Sequence, residues 1–76
     1  MVRNSESDIQ LVREDLMGEL KAIIDYQRHI EVITNGEIRH VLEHIRDDEK
    51  EHVAELIKLI RQLDEMQDTK FKKEEL

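Results

Sequence analysis

Apolar residues recur every three or four positions in two long segments of the chain, from Ile9 to Ile30 and from Ile38 to Leu63. This spacing is typical of one face of an amphipathic α-helix. Neither segment contains Pro, and both are rich in residues that favour helices. The pattern predicts a first helix over about residues 8–33 and a second helix over about residues 37–66.

The predicted helices are separated by Thr34-Asn35-Gly36, a turn over residues 34–36. We expect Asn35 or Gly36 to adopt the left-handed conformation that often ends a helix. So short a connection makes consecutive helices antiparallel neighbours. Outside the hairpin, residues 1–7 are polar and are predicted to be disordered or frayed. Residues 67–76 form a charged tail that lacks the apolar stripe, and we expect an exposed helical extension or disorder there.

Two helices of about 40 Å each cannot enclose their own apolar faces. The chain has 76 residues, of which 41% are charged and 38% hydrophobic, with a net charge of −7 and only one Phe and one Tyr. Chains this small with so few large apolar residues are commonly metallated or oligomeric. The predicted fold class is therefore all-α, an antiparallel two-helix hairpin that dimerises into a four-helix bundle.

Composition excludes several classes of protein. The chain has no Cys, which rules out disulfides and thiolate metal sites. Its apolar runs are too short for a membrane span or a signal peptide, so a cytoplasmic location is expected. A net acidic chain without a basic patch argues against nucleic-acid binding and is compatible with attracting cations.

Two polar residues interrupt the apolar stripe of the second helix. Glu49 and His52 form an E-x-x-H element on the face that is expected to be buried, where unpartnered polar groups are costly. A bound metal ion would satisfy both. A second E-x-x-H element, Glu37 to His40, falls opposite the stripe and is expected to face solvent. We also expect His29 and His44 on the surface.

The first helix supplies a third candidate ligand, Glu19, at the border of its stripe. In an antiparallel hairpin Glu19 and Glu49 lie at nearly the same distance from the turn, within one helical turn of each other. Glu19, Glu49 and His52 can therefore converge. A twofold dimer would combine four carboxylates and two imidazoles, which is the ligand inventory of di-iron carboxylate bundles. This donor set suits iron or manganese.

The sequence resembles the encapsulated ferritin family over about residues 16–62, most closely where Arg46-Asp47-Asp48-Glu49-Lys50-Glu51-His52 matches nearly continuously. The spacing from Glu19 to Glu49 and then to His52 also fits the family. The resemblance implies that these three residues are iron ligands, with Glu49 bridging two irons. Tyr26 matches a family tyrosine near the centre, where it would act through hydrogen bonding.

The resemblance implies a ferroxidase that oxidises Fe(II) to Fe(III) with O₂ at a di-iron centre shared by two subunits. Calcium, manganese or zinc can take the place of iron in a crystal. The resemblance also implies that the four-helix bundle is ferritin-like, and that homodimers assemble into a ring inside an encapsulin shell, where the iron is mineralised. The chain departs from the family where outer acidic residues and a tryptophan are expected, at Gly18, Lys21 and Asp25. The tail DTKFKKEEL also differs from the small apolar peptide that targets relatives to the shell.

Two other interpretations of the residues stay open. The first is a non-enzymatic helical scaffold, in which Glu49 and His52 are only a hydrogen-bonded pair. The second is a different di-metal activity, such as peroxide breakdown or manganese binding. Iron binding followed by O₂-dependent oxidation separates the three interpretations.

Overall fold

The computed structural model describes residues 5–76, and these residues form three helices without a strand. The helices are α1 (Ser5–Val32), α2 (Gly36–Leu63) and α3 (Glu65–Lys73). Helices α1 and α2 pack against each other along their lengths as an antiparallel hairpin. The predicted all-α hairpin is thus confirmed. Among the described residues, no helix is both long and apolar enough to cross a membrane.

The N-terminal boundary of α1 differs from the prediction. The helix begins at Ser5 rather than about Asp8, so part of the segment predicted to be frayed is helical. The apolar stripe starts only at Ile9, so the helix extends about one turn beyond the apolar pattern from which its start was predicted. The rest of the predicted N-terminal segment, residues 1–4, lies outside the described residues.

The connection between α1 and α2 covers residues 33–35 and is closed by a side chain. Asn35 has extended backbone, and its Oδ1 accepts a hydrogen bond from the backbone N–H of Ile38 at 3.0 Å. Asn35 is therefore the N-cap of α2, so the predicted left-handed residue is wrong, and Gly36 has no positive φ. An N-cap satisfies a backbone donor that the first helical turn leaves free.

The predicted end of the second helix at about residue 66 is also wrong, because Asp64 breaks the helix. Its backbone is extended, and its side chain accepts from the backbone N–H of Gln67 at 3.0 Å, which caps α3. Arg13 of α1 forms an ion pair with Asp64. These polar contacts start a new helix where the apolar pattern predicts a tail.

Helix α3 returns toward the hairpin and is held by Arg61 of α2. Arg61 Nε donates to Asp68 Oδ1 at 2.6 Å, and its guanidinium lies 4.8 Å from the centre of the Phe71 ring. Phe71 lines a hydrophobic groove together with Leu16 and Leu20 of α1. The contact of Arg61 with Phe71 and the ion pair of Arg61 with Asp68 therefore hold α3, which lacks a continuous apolar stripe.

The interior of the hairpin is small. Among the described residues, only Ile9, Ile30 and Ile60 are buried apolar residues. The radius of gyration is 16.0 Å, against about 11 Å for a compact domain of this length. A single copy therefore leaves much of its apolar stripe in solvent. Large exposed apolar residues include Met17, Leu20, Ile24, Ile38, Val41, Leu59, Leu63 and Met66.

Candidate metal centre

The antiparallel packing brings the three predicted ligands together near the middle of the hairpin. His52 Nδ1 lies 3.3 Å from Glu49 Oε2, one turn earlier on α2, and 3.5 Å from Glu19 Oε2 on α1. One ligand atom from each residue lies within 4.8 Å of the others. Among the described residues, this is the group of His, Asp and Glu side chains whose geometry could hold a metal ion.

Glu19 and Glu49 are half-buried, and His52 is exposed. Side-chain exposure is 19% for Glu49, 27% for Glu19 and 48% for His52. The expectation that they point into a core does not hold within one copy, because two helices cover the site from one side only. The side chains instead line an open cleft between α1 and α2, accessible to an ion or to a second protein surface.

The donor chemistry and spacing fit a divalent cation of the first transition row. Ligand atoms about 2.1 Å from one ion, at roughly right angles, lie about 3 Å apart. The His52 distances are only slightly longer than this, so small side-chain rotations would close the set. Two carboxylates and one neutral imidazole suit iron or manganese. With three protein ligands, a bound ion would keep coordination positions open, which is typical of a catalytic rather than a structural site.

Further carboxylates line the same cleft. Glu14 and Asp15 come from the preceding turns of α1, and Glu55 follows His52 by one turn of α2. These residues were not predicted, although Asp15 lies four positions before Glu19 and Glu55 three positions after His52, spacings that place both on the faces of the predicted ligands. They make the cleft electronegative, whereas Gly18, which also lines it, supplies no side chain.

The acidic run before Glu49 is partly neutralised by its own neighbours. Arg46 Nε donates to Asp47 Oδ1 at 3.1 Å, and Lys50 Nζ lies 3.5 Å from the same oxygen. The Arg46 hydrogen bond, together with the charges of Arg46 and Lys50, holds the pKa of the Asp47 carboxyl below its usual range. Asp47 is thus engaged by basic side chains and is not among the residues that line the cleft.

The other predicted residues lie away from the cluster. Tyr26 lies two turns, about 10 Å, further along α1 than Glu19 and is not among the residues that line the cleft. Its role near the centre stays a prediction. His29, His40 and His44 are exposed, as the sequence predicts.

Comparisons with known proteins agree on one family. Residues 1–75 match the family described as EncFtn-like. The encapsulin nanocompartment cargo protein EncB of Myxococcus xanthus (strain DK1622) is 35% identical over 66 residues, covering 87% of this chain and 42% of EncB. EncC of the same organism is 34% identical over 67 residues, covering 84% of this chain and 52% of EncC. This chain therefore spans about half the length of these curated relatives.

A solved structure has the same arrangement of helices. The crystal structure of protein ne0167 from Nitrosomonas europaea superposes with a TM-score of 0.86 at 30% sequence identity. The match covers 95% of this chain and 79% of that one. The helical arrangement is thus shared over nearly the whole of this chain.

Proposed function

Because the chain belongs to the EncFtn-like family, we propose that it is a ferroxidase whose di-iron centre forms between two copies of the hairpin. The convergence of Glu19, Glu49 and His52 from both helices carries this proposal. The substrate is Fe(II), the product is Fe(III), and O₂ accepts the electrons. The product would feed iron storage or detoxification.

The requirement for a second copy follows from the open cleft. One hairpin offers three ligand side chains on a surface that solvent reaches from one side. A twofold-related copy would double the ligands and cover the cleft. It would also bury exposed apolar surface beside the cluster, such as that of Leu59, which lines the same cleft. The homodimer is therefore the minimum unit of the proposal, and a ring of dimers is the higher assembly that the family resemblance implies.

Each ligand side chain has a defined part in the proposal. Glu49 is the least exposed of the three and lies next to the imidazole, so the two side chains would hold iron together, and the family resemblance implies that Glu49 is the bridging carboxylate. Glu19 would supply a carboxylate from the opposite helix, α1. His52 binds as a neutral imidazole, and any proton on its Nδ1 must leave first. Iron supplies the redox chemistry, while the protein sets geometry and leaves positions open for O₂.

The names of the relatives support a cellular setting. EncB and EncC are named encapsulin nanocompartment cargo proteins. We propose that this chain also associates with an encapsulin shell and acts inside that compartment, in the cytoplasm. Co-expression with an encapsulin shell protein tests this, since cargo co-purifies with intact shells and a non-cargo protein does not.

An anaerobic titration tests the proposed activity. Fe(II) is added to the protein without O₂, air is then admitted, and Fe(III) absorbance is followed over time. Fe(III) is expected to form well above the rate in buffer alone, and Fe(II) binding is expected to saturate at two Fe per dimer. Bound iron without accelerated oxidation would instead favour another di-metal activity. Failure to bind iron would favour a helical scaffold.

A further inference from the structure

Two histidines of α2 hold their ring nitrogens together outside the cluster described above. The Nε2 atoms of His40 and His44 lie 3.2 Å apart, with ring centroids 4.6 Å apart and ring planes at 88°. Both residues are exposed. His44 lies about 12 Å along the helix from His52, too far to share an ion with it. The proposed oxidation of iron does not use this pair.

We propose that His40 and His44 form a second metal site, a two-histidine chelate for a late divalent transition-metal ion such as Zn(II). Two imidazole nitrogens bound to one zinc at about 2.1 Å, with an angle of roughly 100° between them, lie about 3.2 Å apart. Their ring centroids then lie about 5 Å apart. The observed separations of 3.2 Å and 4.6 Å are close to both values.

A simple hydrogen bond between the rings fits the geometry less well. In a straight N–H···N bond with this separation of nitrogens, the ring centroids would lie about 5.5 Å apart. The observed 4.6 Å means that the rings are bent away from that line. Chelation needs the proton of each neutral ring on Nδ1, so that both Nε2 atoms are free to bind.

The helix preorganises the pair. Residues four apart share a helix face, and the backbone between them is fixed by helical hydrogen bonds. The segment lies just after Asn35, whose side chain caps α2 and holds its first turn. Once one imidazole binds an ion, the second is already nearby, and its binding is an intramolecular step. The pair is therefore expected to bind a metal ion more tightly than any single surface histidine, such as His29.

The ligand set indicates which ion binds and how tightly. Imidazole without thiolate suits zinc, copper or nickel. Among the described residues, no carboxylate joins the two rings to form a three-membered ligand group like that of Glu19, Glu49 and His52. The site therefore has two protein ligands, leaves the other positions to solvent, and exchanges its ion readily.

A zinc titration that resolves individual histidines tests the proposal. Long-range ¹H–¹⁵N spectra of the full chain are recorded at neutral pH with increasing zinc chloride, since they report the ligand nitrogen of each ring. His40 and His44 are expected to respond together through Nε2 at one zinc concentration. In His44→Gln, the concentration that half-shifts His40 is expected to rise about tenfold or more. Gln is a good helix former, so the helix persists.

His29→Gln is the matched control, because it removes an exposed histidine that has no such partner. It is expected to leave the response of His40 and His44 unchanged. An unchanged midpoint of His40 in His44→Gln would overturn the proposal. So would a pair that responds only at the zinc concentration that shifts His29. Since His52 gives its own signals, failure here is distinguishable from failure of the iron site.

Discussion

His52 Nδ1 on α2 lies 3.5 Å from Glu19 Oε2 on α1. This contact crosses the hairpin, so it depends on the register between two helices and not on local sequence. The contact between His52 and Glu49 would exist in an isolated helix, since those residues are one turn apart. The cross-helix contact is what turns a common E-x-x-H element into a three-ligand cluster.

Replacing Glu49 tests the proposed bridging carboxylate. Glu49→Gln keeps the shape of the side chain but removes its charge, and it is expected to reduce the initial rate of O₂-dependent Fe(III) formation by about 100-fold or more. The neighbouring Glu51→Gln is the matched control, because Glu51 is exposed and outside the cluster. If Glu49→Gln retains half of the wild-type rate, Glu49 is not a ligand of the reacting iron.

Metal binding is expected to drive assembly. If the complete site exists only between two copies, an ion that binds it stabilises the dimer by mass action. Adding Fe(II) without O₂, or calcium, is expected to shift a monomer–dimer mixture toward larger species in size-exclusion chromatography, and a chelator reverses the shift. Glu49→Gln is expected to abolish the response. A wild-type profile that is the same with metal and with chelator contradicts the shared site.

Docking of α3 is expected to weaken in acid. The hydrogen bond from Arg61, followed by that from Lys72, holds the pKa of Asp68 below its usual range. The backbone N–H of Gln67, followed by Arg13, does the same for Asp64. Because the folded-state pKa values are lowered, their stabilising effect is complete above about pH 3.9, the usual carboxyl value. It is lost as the pH falls further, through the folded-state values.

Amide hydrogen exchange in α3, compared between pH 6 and pH 2.5, measures this effect. Protection of α3 is expected to fall across that interval more than protection of the neighbouring α2. In Asp68→Asn, α3 should be less protected already at pH 6 and should change less with pH. The same pH dependence in wild type and Asp68→Asn would show that this ion pair does not hold α3.

The cap of α2 is expected to contribute measurably to stability. Asn35→Ala removes the acceptor for the Ile38 N–H and should lower the free energy of unfolding by about 1 kcal/mol. Asn35→Asp retains an acceptor and should stay close to wild type. Urea unfolding followed by circular dichroism, at one fixed protein concentration, makes the comparison. Equal losses in both variants would mean that the cap contributes little.

The hairpin and the cluster follow from local rules. Apolar spacing predicts the two long helices, and a short connection forces them to be antiparallel. Counting residues from the turn then predicts that Glu19 and Glu49 lie at similar heights, and the structure brings them together with His52. No long-range information beyond the turn is needed for this part.

Helix α3 could not be predicted in the same way. Its docking depends on Arg61 reaching Asp68 and Phe71, and on Arg13 of α1 reaching Asp64. Such contacts join distant positions through single side chains and leave no periodic signal. The sequence does predict a second copy, because two helices cannot enclose their own apolar faces, and the apolar residues that one hairpin leaves exposed support that proposal.

The short connection over residues 33–35 has a consequence for how this chain can change. Each residue inserted into a helix between Glu19 and Glu49 would slide one carboxylate by about 1.5 Å and rotate it by about 100° around the axis. A single insertion or deletion there would therefore separate the ligands more surely than many substitutions on the exposed faces. The number of residues between Glu19 and Glu49 is therefore more tightly constrained than the identity of the residues on the exposed faces.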